Sequence, residues 1–158
     1  MKPWLSILIP SNRPEGLELY LESLRSNAAH WNEIEVIVLV DDERNYAEIH
    51  SNVTILHYKR KDGPVNISEL QNECYRLATA PWIMLSNDDV VMQTKNWDNM
   101  IKKATAIYTD EVALIYPDDG MFGKTLACFP VVSRKVLEAT KFFPQPYRRY
   151  KVDDTLFG

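Results

Sequence analysis

The chain has 158 residues, enough for one domain with one sizeable core. Hydrophobic residues make up 46% and charged residues 25%, and 22 acids outweigh 18 bases for a net charge of −4. That balance removes the electrostatic case for nucleic acid as the main partner. Its two cysteines, Cys74 and Cys128, sit in no CxxC and no Cys/His cluster, so they read as reduced thiols of a cytoplasmic protein. The apolar run Leu5 to Ile9 is too short for a secretory signal, and no run approaches the ~20 apolar residues of a membrane span.

Leu5-Ser6-Ile7-Leu8-Ile9 reads as a buried strand. The turn Pro10-Ser11-Asn12-Arg13-Pro14 feeds a helix with Pro14 near its first position, and Leu17, Tyr20, Leu21 and Leu24 recur behind it at helical spacing. Residues 35–40 form a second buried strand that ends at Asp41-Asp42, and residues 53–56 a third. Residues 59–64 are a basic, turn-rich loop containing Lys59-Arg60-Lys61. Asn66 stands as an N-cap with Glu69 as its capping-box partner, and Ile67, Leu70, Cys74 and Leu77 carry that helix towards Pro81. A strand over 82–86 follows, then an amphipathic helix marked by Trp97, Met100, Ile101, Ala104 and Ile107, with Trp97 and Met100 read as core. Residues 112–116 and 125–132 read as strands, and Ser133 caps a short helix to about Ala139. The tail, 142–158, is rich in aromatics, Pro and Arg. This alternation predicts an α/β fold, a three-layer α/β/α sandwich whose mostly parallel sheet is covered by helices on both faces. It also predicts a single domain over 1–158, with a short C-terminal part at about 117–158.

In such a sheet, ligands bind at the carboxyl ends of strands. Trp82-Ile83-Met84-Leu85-Ser86-Asn87-Asp88-Asp89 is an apolar run that ends there in two acids. Paired carboxylates suit Mg²⁺ or Mn²⁺, which prefer oxygen ligands, and such an ion suits the phosphates of a nucleotide. Asp41-Asp42, Asp118-Asp119 and Asp153-Asp154 are further acid pairs, each of which must be solvated or neutralised by a cation. The bland readings are an exposed turn for Asp88-Asp89, a helix cap for Asp41-Asp42, a solvated loop residue for Arg13 and a frayed end for Asp153-Asp154. Asp118-Asp119-Gly120 reads most simply as a turn. His30, His50 and His57 have no partner spacing and receive no catalytic role.

Three segments together resemble the nucleotide-sugar-dependent glycosyltransferases of family 2, which have the GT-A fold. Ser6 to Arg13 is similar to that family's opening strand and Pro-Thr-x-x-Arg turn, Val38-Leu39-Val40-Asp41-Asp42 to its V-V-D-D strand end, and Asn72 with Ala80 to Asp89 to its helix Asn and D-x-D metal motif. The resemblance covers roughly residues 4 to 92 well, and the order and spacing of the segments carry it. It implies that Pro10, Ser11 and Arg13 line a nucleotide pocket and that Asp41, with Asp42 beside it, accepts a hydrogen bond from the base. It further implies that Asn72 and Asp88 sit by the nucleotide and that Asp89, with Asp88, holds Mn²⁺ or Mg²⁺ on the diphosphate. Val152-Asp153-Asp154 resembles the later acidic motif, whose carboxylate is the catalytic base of inverting members. The implied activity is metal-dependent transfer of a sugar, with inversion, from a UDP-sugar or a GDP-sugar to a glycan or other hydroxyl acceptor.

Two departures accompany the resemblance. The D-x-D position reads Asn87-Asp88-Asp89, so its first acid is an amide, and the sequence stops four residues after Asp154, as in a short or truncated member. A nucleotide-binding but inactive remnant of the fold therefore stays open, as does the oligomeric state, homodimer included. A phosphoacceptor receiver built on Val40-Asp41-Asp42-Glu43 fits less well, because Leu5 to Ile9 becomes an unexplained extra strand and no Lys-Pro follows residues 112–116. A sugar-nucleotide nucleotidyltransferase would open with a Gly-rich loop where Pro-Ser-Asn-Arg-Pro stands.

Overall fold

Strand β1 (Leu5–Ser11) buries Leu5, Ile7, Leu8 and Ile9 completely, the continuous apolar run of a strand covered on both faces. The structure is a computed structural model and describes residues 2–40, 50–58, 67–118, 120, 123 and 125–141. β1 pairs in parallel with β2 (Ile34–Val40) from Leu5↔Ile34 to Ser11↔Val40, and with β4 (Trp82–Leu85) from Leu5↔Trp82 to Leu8↔Leu85. β3 (Val53–His57) adds in parallel beside β2. Two short strands complete the other edge: β6 (Val131–Ser133) runs antiparallel to β4, and β5 (Leu114–Ile115) antiparallel to β6. The sheet order is β3-β2-β1-β4-β6-β5.

Side-chain alternation along the strands sorts the core into two layers. On one face Ile7, Ile9, Val36 and Val38 meet Leu17, Tyr20, Leu21 and Leu24 of α1 (Pro14–Asn27) and Trp97 of α3 (Trp97–Thr105). On the other, Leu8, Ile37, Leu39, Ile83 and Leu85 meet Leu70, Cys74 and Tyr75 of α2 (Ile67–Leu77) and Leu137 of α4 (Arg134–Ala139). The expected α/β/α sandwich with a mostly parallel sheet is therefore present.

Several sequence expectations change in detail. Met100 is 59% exposed and is not core. The buried stripe of α3 runs through Trp97, Asp98 and Thr105, and a step of 100° per residue puts Met100 to one side of it. The strands expected over 112–116 and 125–132 shrink to β5 and β6. Phe129 lies in the left-handed region at φ 52°, which breaks extension just before β6, and Pro130 has no N–H to donate to a ladder. Ser133 caps α4 as expected, its hydroxyl accepting from the Val136 N–H at 3.3 Å. The next residue, Arg134, donates to the carbonyls of Ala80 at 2.9 Å and Ala78 at 2.7 Å and covers the Tyr75 ring, which ties α4 to the turn that launches β4.

Candidate functional site

The carboxyl ends of β1 and β4 lie side by side, and the chain leaves both in loops that meet. The first N–H groups of a helix have no partner within the helix. Arg13, at the N-cap of α1, supplies no side-chain cap. Asp88 does so from the other loop. Its Oδ2 accepts from the Ser11 hydroxyl at 2.8 Å, the Asn12 N–H at 3.1 Å and the Arg13 N–H at 3.0 Å. A carboxylate at this end of α1 also meets the positive end of the helix dipole. Asp88 is buried, and its Oδ1 takes no hydrogen bond among the described residues.

Gly16 makes this approach feasible. A Cβ at that position would stand 2.5 Å from the Asp88 carbonyl oxygen, so only glycine lets the first turn of α1 come so close. Asp89 turns outward instead, with its carboxylate 3.8 Å from Arg13 Nη1 and the two side chains 53% and 65% exposed. A pair so exposed contributes little, so both partners can be recruited cheaply by a ligand.

Beneath this surface Tyr20 of α1 and Ser86 share a 2.5 Å hydroxyl–hydroxyl hydrogen bond. Burial pushes the Tyr20 phenol up to about 12, against a smaller opposing effect of the Ser86 hydrogen bond. The Ser86 N–H donates to the Leu8 carbonyl at 3.0 Å, continuing the β1–β4 ladder one residue beyond β4. On the far side of β4, a cleft of about 90 Å³ opens between Gln71 of α2, Ser86, Asn87 and residues 126–130.

The structure thus gathers Ser11, Arg13, Asp88 and Asp89, with Pro10 half-buried beside them in β1. Asn72 stands half-buried on α2, across the sheet from α1. Asp41, Asp42, Asp153 and Asp154 lie outside the described residues, as do Lys59-Arg60-Lys61, Asn66 and Asp119. Asp118 behaves as a turn residue, its Oδ1 accepting from the Gly120 N–H at 2.9 Å. Among the described residues no three His, Cys, Asp or Glu side chains converge on one point, and no helix is long and apolar enough to cross a membrane.

Sequence reasoning missed the placement of Gly16 against Asp88, of Ser86 against Tyr20 and of Gln71 at the cleft. A signal existed for Gln71: it falls on the same helical stripe as Ile67, Leu70 and Cys74, an amide among apolar residues. Gly16, inside a helix just after its Pro, was a weaker one.

Solved structures share this architecture. S. aureus TarS, residues 1–349, superposes with a TM-score of 0.70 at 15% identity, over 97% of this chain and 53% of that one. The mannosyltransferase PcManGT from Pyrobaculum calidifontis, in complex with GDP-Man and Mn²⁺, gives 0.72 at 15% identity, over 98% of this chain and 50% of that one. TarS 1–349 in complex with UDP-GlcNAc gives 0.67 at 15% identity, over 97% of this chain and 51% of that one. The chain spans about half the length of these structures, and at such identities the likeness establishes the fold, which is GT-A. No curated protein sequence matches the chain significantly. The sequence model described as "Glycosyl transferase family 2" matches residues 6–127, well over half of the chain, and the chain belongs to that family.

Proposed function

We propose that the protein transfers a sugar from a nucleoside-diphosphate donor to an acceptor hydroxyl, with a divalent cation on the diphosphate. The observation that carries this reading is the loop meeting at β1 and β4. Asp88 fixes the start of α1, while Arg13 and Asp89 stand exposed on the same surface, loosely paired. Arg13 is suited to a phosphate because a guanidinium matches its geometry. Asp89 and the unoccupied Oδ1 of Asp88 offer the hard oxygen donors that Mn²⁺ or Mg²⁺ prefers. When bound, such an ion neutralises charge developing on the departing diphosphate.

The remaining roles follow the resemblance. Pro10 and Ser11 line the nucleotide pocket, Asn72 flanks it, and Asp41 with Asp42 receives the base. Asp154, or Asp153 beside it, takes the proton of the acceptor hydroxyl as that oxygen attacks the anomeric carbon with inversion. Holding donor and acceptor together supplies the proximity contribution. The donor is a UDP-sugar or a GDP-sugar. Support for both comes from solved relatives, one in complex with UDP-GlcNAc and another with GDP-Man and Mn²⁺. The acceptor is a glycan or another hydroxyl compound, and the reaction runs in the cytoplasm.

Calorimetric titration of UDP and then GDP, with Mn²⁺ and again with EDTA, tests this on wild type and Asp89→Ala. The expected result is metal-dependent binding of one nucleotide that Asp89→Ala weakens by tenfold or more. Binding of neither nucleotide sinks the donor site, and binding indifferent to EDTA sinks the cation.

A further inference from the structure

We infer that Gln71 is a specificity-determining residue, reading a hydroxyl or acetamido group of an uncharged donor sugar in the cleft between the end of β4 and residues 126–130. The inference rests on the donor site proposed above and extends it across β4. β4 lies between β1 and β6 in the sheet. Asp88 and Asp89 face the β1 side, where Ser11 and Arg13 are, whereas Ser86 and Asn87 line the cleft on the β6 side. The four residues are consecutive. A group attached to a diphosphate held at Asp88-Asp89 is therefore within reach of the cleft across Asn87.

The lining of that cleft matches a neutral sugar. Gln71 is only 5% exposed, yet its amide has no hydrogen-bond partner among the described residues, and it borders the open space. An amide that meets open space and no protein partner is completed by water or by a ligand in the cleft. The amide both donates and accepts, so a hydroxyl or an acetamido group can satisfy it, and a cleft of about 90 Å³ has room for several waters or for part of one sugar ring. The remaining wall is apolar, with Leu85, Leu126 and Phe129 among it, and among the described residues no charged side chain lines the cleft. A uronate placed there would be desolvated with no counter-charge from these residues. Phe129 adopts its left-handed φ of 52° in this wall, a conformation costly for a bulky side chain and one that tends to gather at ligand clamps.

The test compares affinities by titration in Mn²⁺: UDP against UDP-glucose, UDP-GlcNAc and UDP-glucuronate, and GDP against GDP-mannose. Wild type, Gln71→Leu and the near-isosteric Gln71→Met are measured, with circular dichroism to confirm folding. Wild type is expected to bind a neutral donor at least tenfold more tightly than UDP-glucuronate. Either variant is expected to lose about tenfold for that donor while its nucleoside diphosphate stays within about twofold. Should Gln71→Leu fail to fold, Gln71→Met carries the same comparison. Equal losses for donor and diphosphate, no loss for either, or uronate bound as tightly as the neutral sugar overturns the inference alone. Wild type that binds neither UDP nor GDP overturns the proposed function, and this inference with it.

Discussion

Asp88 Oδ2 accepts a 2.8 Å hydrogen bond from Ser11 Oγ across 77 residues of sequence, and the same oxygen holds the Asn12 and Arg13 N–H groups. Its acidity therefore has a structural use before any ligand arrives: it clamps the first turn of α1 to the end of β4. Asp88→Ala leaves a hydroxyl and two amides without this acceptor. The expected cost is about 3 kcal/mol, given a charged acceptor with three donors in a partly solvated setting. Asp88→Asn keeps a carbonyl oxygen and is expected to cost about 1 kcal/mol. Urea unfolding of the three proteins checks the order, and an Asp88→Ala midpoint equal to wild type contradicts the clamp.

Gly16 makes a prediction of opposite sign to helix propensity. Replacing a helical glycine by alanine ordinarily stabilises by up to about 1 kcal/mol. Here the added Cβ would lie 2.5 Å from the Asp88 carbonyl oxygen, a backbone atom that cannot swing aside. Gly16→Ala must push α1 away from β4, at an expected cost of about 1–3 kcal/mol. The same shift disturbs Arg13 and Ser11, so affinity for the nucleoside diphosphate is expected to fall alongside stability. Denaturant unfolding together with nucleotide titration reads both, and a stabilised variant contradicts the close approach.

These two positions show what a linear pattern can and cannot carry. The strand ends were legible because an apolar run stopped at Asp88-Asp89, and a parallel sheet puts such ends where ligands bind. Helix α1 was legible from Leu17, Tyr20, Leu21 and Leu24, all of which are buried against the sheet. Periodicity on α3 misled at Met100, because apolar residues flanking a stripe look the same in sequence as residues within it. The C-terminal strands were overextended because Val and Ile runs ignore a left-handed residue such as Phe129. The division of labour between Asp88 and Asp89 was invisible. It depends on which carboxylate meets the start of α1, a contact 75 residues away in sequence from Arg13. Gln71 was hidden for the related reason that the cleft it borders is assembled only when α2, β4 and residues 126–130 come together.

Tyr20 offers a test of the buried layer under the site. Its phenol is pushed up to about 12 chiefly by burial, from 10.0 for an exposed tyrosine, and it shares a 2.5 Å hydrogen bond with Ser86. The unfolded chain releases this proton near pH 10, whereas the folded chain keeps it until about pH 12. Stability associated with Tyr20 is therefore complete below pH 10 and is lost as pH rises through 12. Tyr20→Phe removes the hydrogen bond, which costs about 1 kcal/mol at neutral pH, and also removes this titration. All other groups titrate alike in the two proteins, so their difference in unfolding free energy isolates Tyr20. That difference is expected to shrink by about 1 kcal/mol between pH 9 and pH 11 in favour of Tyr20→Phe. A difference that stays constant across that range would show that the Tyr20 phenol is not desolvated beneath the loop that carries Asp88 and Asp89.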